Sequence, residues 1–194
     1  MTLAAFGRQS ISACERADLL LVRWCARSAR PRLFRASAIA ISWMGNGWIY
    51  PALGSSCLVL GGPRALAVIW AGALNATILH CVYPPLKRWM SRPRPFQKAP
   101  DLKSLLAALD EHSFPSGHAM TLTGGLVPIV LVFPEALSIC LVLWAAMAWA
   151  RLAAAHHYPS DVLAGSGLGM LVSYPVSSLS LSFGALIVSL FGGA

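Results

Sequence analysis

Charge is scarce in this chain. Of its 194 residues only 11% are charged against 57% hydrophobic, and acids are rarer than bases, with 7 Asp and Glu facing 15 Lys and Arg. Soluble domains carry about 25% charged residues, so an ordinary soluble domain is excluded. A disordered chain, which needs low hydrophobicity and high charge, is excluded on the same grounds. Cysteine is sparse and unpatterned. The 5 cysteines are odd in number and show no CxxC spacing, which argues against a disulfide framework and for small buried apolar side chains. Within the first 35 residues charges interrupt every apolar stretch, so no cleavable signal peptide is expected. Paired acids of the DxD kind are missing as well.

Where charge is absent, length becomes informative. No Asp, Glu, Lys or Arg occurs in residues 36–63, 65–86, 117–134, 136–150 or 162–194. A bilayer core needs about 20 apolar helical residues, with roughly 17 to 25 as the working range. The expected fold is therefore all-α, an integral membrane helical bundle of five or six transmembrane helices. The spans expected are 47–60, extended upstream if the helix is continuous, then 65–84, 117–133, 136–155 and 161 onward. The last stretch reads either as one long helix kinked at Pro175 or as a span followed by a sixth segment.

Ahead of the bundle, residues 1–35 form a basic segment. From Cys14 to Arg30, Arg16, Arg23, Arg27 and Arg30 recur at helical spacing while Leu20, Leu21 and Trp24 lie on another face. That pattern fits an amphipathic helix lying in the membrane interface, with a helix packed on the bundle as the alternative. Residues 36–194 are read as a single domain. The N-terminal arginines place the N-terminus in the cytoplasm by the positive-inside rule. The net charge of +8 is explained by attraction to anionic lipid heads, so no nucleic-acid partner is expected.

Three clusters hold most of the residues that a membrane excludes. The first runs from Lys87 to Arg94 and Pro95, the second is Pro115, Ser116, Gly117 and His118, and the third is Arg151, His157 and Asp161. Each sits at the end of an expected span, and counting passages puts all three on one membrane face. Lys87, Arg94 and Arg151 offer fixed positive charge to phosphate oxygens. Ser116 and Gly117 stand where a helix N-terminus directs free N–H groups at an anion. His118 and His157 can act as acid and nucleophile, and Asp161, four residues past His157, can accept its imidazole N–H. A zinc site from His118, His157 and Asp161 is the competing reading. Three converging cations oppose it, and no metal or other cofactor is expected.

In order and spacing, the three clusters resemble the signature of the type 2 phosphatidic acid phosphatase superfamily, over about residues 45–169; the Gly45, Asn46, Gly47, Trp48 stretch is similar to members of that family too. The resemblance implies a metal-independent phosphatase acting on a lipid phosphate: phosphatidate, phosphatidylglycerophosphate or a polyprenyl diphosphate. It implies His157 as nucleophile forming a phosphohistidine, Asp161 orienting it and His118 protonating the leaving group. Lys87, Arg94, Ser116, Gly117 and Arg151 would hold the phosphoryl oxygens. One position departs from the pattern: Ala150 stands where the family usually has Ser, which puts a phosphate contact in doubt. The expected setting is a bacterial plasma membrane, and the N-terminal arginines with the count of passages put the site on its cytoplasmic face. A non-catalytic protein that binds or translocates lipid phosphates is the alternative.

Smaller features carry their own expectations. His156 reads as a polar helix-end residue, His80 and Asn75 as interhelical contacts, and His112 as a solvated loop residue. Arg88, Arg92, Lys98 and Lys103 read mostly as head-group or solvent contacts. Gly165 and Gly169 form a GxxxG pattern that fits close packing inside the bundle. Leu102, Leu105, Leu106 and Leu109 fall at i, i+3, i+4 and i+7, which predicts an amphipathic helix over residues 101–112 lying over the site and guiding a lipid tail.

Overall fold

The computed structural model describes residues 3–191, with side chains described for residues 14–183. The chain is all-helical. In order come α1 (Leu3–Ser28), α2 (Arg32–Met44), α3 (Ile49–Gly61), α4 (Arg64–Met90), the single turn α5 (Pro95–Lys98), α6 (Gly117–Val132), α7 (Leu137–Ala153) and α8 (Pro159–Phe191). Among the described residues there is no strand, only one isolated bridge between Pro93 and His112.

α6 is the axis of the bundle. It is apolar on every side, and Met120, Leu122, Leu126, Val127 and Ile129 are all buried, as a helix without a polar face must be. α4, α7 and α8 pack around it. Three segments, Arg64–Met90, Pro134–Ala153 and Pro159–Phe183, are long and apolar enough to cross a membrane, and α3 and α6 are shorter apolar helices beside them. Large apolar side chains such as Leu60, Trp70, Val142, Leu171 and Leu179 point outward. An aqueous surface would not tolerate that display; a lipid-facing one requires it.

Glycine sets the closest approach in the bundle. A Cβ on Gly165 would lie 2.5 Å from the Ser116 carbonyl oxygen, and one on Gly169 would lie 2.5 Å from that of Met120. Gly167, on the other side of α8, has open space. The GxxxG pattern therefore serves packing of α8 on α6. Asn75 adds a polar tie: its Nδ2 donates to the Gly124 carbonyl at 2.9 Å and to Ser177 Oγ at 2.9 Å, joining α4, α6 and α8. His80 does not join helices; its Nδ1 lies 2.7 Å from the Ala76 carbonyl of its own helix.

Two alternatives left open by the sequence are decided and one expectation is corrected. The first span does not continue upstream as one helix, because the chain breaks at residues 45–48. Gly47 there has φ 132°, a conformation that favours glycine. α8 is continuous through Pro175, so the last stretch is one long helix and not a span plus a sixth segment. No helix forms over 101–112. There the apolar spacing is overridden by tertiary contacts: Leu102 is buried with Val22, Ala155 and Tyr158, Leu105 packs on another cluster, and Leu109 is exposed.

α1 runs along α7. It buries Asp18, Val22 and Cys25, one per turn, with Ala29 buried just past its end, and leaves Leu20, Leu21 and Trp24 exposed beside its arginines.

Candidate active site

The three sequence clusters converge at one end of the bundle around a cavity of about 510 Å³. Lys87 comes from the last turn of α4, Arg94 from the segment behind it, Gly117 and His118 from the start of α6, Arg151 from the end of α7, and His157 from the turn into α8. All six line the cavity. The turn carrying His157 is sharp because Ala155 takes a left-handed conformation, φ 55°, letting His156 and His157 fold back onto the Arg151 carbonyl.

His157 is buried, and its Nδ1 lies 2.7 Å from the carbonyl oxygen of Ser113. A carbonyl only accepts, so Nδ1 carries the proton and Nε2 keeps its lone pair. Asp161 Oδ2 stands farther from the same Nδ1, at 3.7 Å. Its nearer partners are the Tyr158 N–H on Oδ2, at 2.8 Å, and Arg92 Nη1 on Oδ1. Thus Ser113 takes the hydrogen bond expected for Asp161, and the carboxylate stands behind it. Burial, then the charges of Arg151, Arg94 and Lys87, holds the His157 pKa well below that of a free imidazole, so the ring is neutral.

His118 Nε2 lies 2.9 Å from Asn46 Oδ1 in the turn between α2 and α3. The acceptor oxygen places an N–H on His118 Nε2, at the wall of the cavity. Gly45 makes this approach possible, since a Cβ there would sit 2.5 Å from the His118 ring and 2.6 Å from Met147.

The cations are buried and not idle. Lys87 Nζ donates to both oxygens of Asp110, at 2.9 and 2.7 Å, and to the His112 carbonyl at 3.2 Å. Arg94 donates through Nη2 to Asp110 Oδ1 at 2.7 Å, through Nε to the Asp110 carbonyl at 3.0 Å, and through Nη1 to the His156 carbonyl at 2.8 Å. Arg151 Nη2 donates to His156 Nδ1 at 2.7 Å, while its buried Nε has no partner. Among the described residues no group of three or more His, Cys, Asp or Glu is placed to hold a metal ion.

Two expected site residues stand off the cavity wall. Ser116 is buried, and its Oγ accepts from the Ala119 N–H as the N-cap of α6, at 3.4 Å. Asp161 is buried behind His157. Ala150 faces Cys25, Ala29 and Ala38 in a small-residue core, away from the cavity.

Sequence reasoning missed four participants. Asp110 lies where the sequence predicted a helix that does not form, and Ser113 lies just past it in the same loop. The available signal was charge balance, because three buried cations need a counter-charge, and few acids lie between the first two clusters. His156 is no helix-end residue: it is buried, and its Nε2 lies 2.7 Å from Ser104 Oγ and 3.0 Å from the Leu106 carbonyl. Arg92 is neither a head-group nor a solvent contact, since it joins Asp161, Ser160 and Asp18 while lying over the Tyr158 ring at 3.9 Å.

Comparison with known proteins identifies the family. The family model of the PAP2 superfamily matches residues 64–183, and the chain belongs to that superfamily. The decaprenylphosphoryl-5-phosphoribose phosphatase of Mycobacterium tuberculosis is 31% identical over 157 residues, covering 74% of this chain and 79% of that protein. Two solved structures share the fold. The PAP2 type phosphatidylglycerolphosphate phosphatase of Bacillus subtilis superposes with TM-score 0.62 at 20% identity, covering 88% of this chain and 87% of its own. Aquifex aeolicus LpxE superposes with TM-score 0.60 at 24% identity, covering 86% and 95%. The protein is thus an integral membrane phosphatase of the lipid-phosphatase kind, a phosphoric ester hydrolase.

Proposed function

We propose that this enzyme removes a terminal phosphate from a membrane lipid by a metal-independent mechanism through a phosphohistidine on His157. The observation that carries the reading is the tautomer of His157. Its Nδ1 proton is committed to the Ser113 carbonyl, which leaves a neutral, nucleophilic Nε2 on the ring that lines the cavity. Nε2 attacks phosphorus and the bond to the lipid oxygen breaks. The negative charge of the bound phosphate favours the imidazolium form of His118, which gives its Nε2 proton to that oxygen, so that the lipid leaves as a neutral alcohol and His118 is left as neutral imidazole. Water then attacks the phosphohistidine, His118 takes a proton back, and phosphate departs. Asp161, close behind Nδ1, stabilises the charge the imidazole gains on attack.

Lys87, Arg94, Arg151 and the Gly117 N–H hold the phosphoryl oxygens. Arg151 contributes an unpartnered Nε, and Arg94 uses only three of its five N–H donors on the protein. Ser116 acts by capping α6 and so fixing the Gly117 N–H. Fixed side-chain cations thereby supply the charge stabilisation that a metal ion gives elsewhere.

The lipid is a phosphomonoester or diphosphate: phosphatidate, phosphatidylglycerophosphate, a polyprenyl diphosphate, or a phosphorylated sugar on a polyprenyl carrier as in the mycobacterial relative. The N-terminal arginines support a site on the cytoplasmic face of a bacterial plasma membrane. The test is phosphate release in detergent from phosphatidylglycerophosphate and from a polyprenyl diphosphate, with excess chelator, for the native protein and His157→Ala. Activity is expected to survive the chelator and to vanish in the variant. Loss to the chelator refutes the metal-free route, and survival of the variant refutes the nucleophile.

A further inference from the structure

We propose that Asp110 is an affinity-setting residue of the phosphoryl site: an internal counter-ion, held by Lys87 and Arg94, that weakens the binding of every anion there. The inference rests on the reading of the cavity as a phosphoryl site. Asp110 Oδ1 lies 2.9 Å from Lys87 Nζ and 2.7 Å from Arg94 Nη2, and Oδ2 lies 2.7 Å from Lys87 Nζ. One carboxylate thus receives hydrogen bonds from two of the four cations lining the cavity, Lys87, Arg88, Arg94 and Arg151, in the way a phosphoryl group would. Lys87 and Arg94 are 5% and 1% exposed, whereas the Asp110 side chain is 39% exposed and lines the cavity itself. The anion is therefore on the open side of the pair, where an entering phosphate meets it.

Such a residue answers a problem of the setting. A pocket with three buried, uncompensated cations costs a great deal of desolvation. In a membrane it would also be filled by the phosphodiester head groups that surround it in excess. A tethered carboxylate is present at an effective concentration of about mM or more. It stabilises the empty site, keeps weak monoanions out and speeds the departure of product phosphate. Whether an entering phosphate displaces Asp110 or binds beside it, deleting the negative charge strengthens anion binding. A carboxylate that served only to hold Lys87 and Arg94 in place predicts the opposite sign.

The experiment is inhibition of turnover by inorganic phosphate and by dioctanoyl phosphatidylglycerol, a monoanionic diester, in detergent for native protein, Asp110→Asn and Asp110→Glu. Calorimetric titration of inorganic phosphate into the His157→Ala protein, with and without Asp110→Asn, separates binding from turnover. Asp110→Asn is expected to tighten both inhibitors by roughly 10-fold, the scale of one close charge pair, while Asp110→Glu stays near native. Asp110→Ser deletes the same charge and serves if the Asn variant does not fold. Unchanged or weaker phosphate binding in the charge-deleted proteins overturns the proposal. Absence of phosphate binding in the His157→Ala protein itself counts instead against the phosphoryl-site reading.

Discussion

Arg92 Nη1 stands 2.5 Å from Asp161 Oδ1, and the other arm of the same guanidinium, Nη2, lies 2.9 Å from Asp18 Oδ2 in α1. Asp18 also takes hydrogen bonds from the N–H and Oγ of Ser160. The carboxylate behind His157 is thereby fixed from the basic N-terminal helix. Arg92→Ala strands a fully buried Asp161 and is expected to cost on the order of 3 kcal/mol of stability. It should lower kcat about 10-fold with little change in KM, because nothing in it touches the phosphate cations. Asp18→Asn keeps an acceptor for Arg92 and should cost about 1 kcal/mol. Thermal unfolding in detergent and a kcat against KM comparison check both. A change confined to KM would show that the network shapes the binding site rather than the nucleophile.

His118 carries a proton on Nε2, beside Asn46, and its proposed task is to protonate a lipid alkoxide. Removing a general acid costs roughly 10²- to 10⁴-fold. His118→Ala should lose activity in that range on a lipid monoester but far less on p-nitrophenyl phosphate, whose leaving group needs no proton. Steady-state rates on the two substrates decide it, and equal losses would assign His118 to phosphate binding instead.

Stability should fall on acidification because of the histidine pair. Burial, then the charges of Arg151 and Arg94, pushes the His156 pKa down to about 3, and His157 is shifted the same way. An unfolded imidazole titrates near 6.5. Between these values the unfolded chain binds more protons than the folded one, so the stabilisation is complete above about pH 6.5 and is lost as pH drops toward 3. The melting temperature should decline from pH 7 to pH 5. His156→Gln, which can still accept from Arg151, should flatten that decline; an unaltered slope would mean that other groups govern it.

Positions 87, 94, 117, 118, 151 and 157 were legible in the sequence because topology alone brings the ends of neighbouring helices together. The bundle was legible because the bilayer demands long apolar runs. The loop over residues 99–116 was not, since its leucine spacing satisfies a helix while Asp110, Ser104 and Ser113 are each pulled into tertiary hydrogen bonds. Arg92 was misread for a similar reason. Its partners Asp18 and Asp161 are far away along the chain, and a lone arginine in a basic stretch carries no sign of them.

The α6–α8 contact offers a sharp structural test, because three glycines of one helix stand in three environments. A methyl on Gly165 or Gly169 would press to 2.5 Å on a backbone carbonyl of α6, whereas one on Gly167 meets nothing within 4 Å. Backbone cannot swing aside as a side chain can, so Gly165→Ala and Gly169→Ala must separate the helices, at a cost of about 1–3 kcal/mol. Gly165 bears on Ser116, the residue that caps α6 and precedes Gly117, so its alanine should also displace the phosphate-facing N–H and raise KM. Gly169 bears on Met120, one turn deeper, and should lose stability with a smaller kinetic effect. Gly167→Ala should be neutral or up to about 1 kcal/mol stabilising, the helix-propensity gain of alanine over glycine. Melting temperatures of the three variants, with KM for each, check the ordering. Equal destabilisation at all three positions would mean that α8 is not seated on α6 through this face.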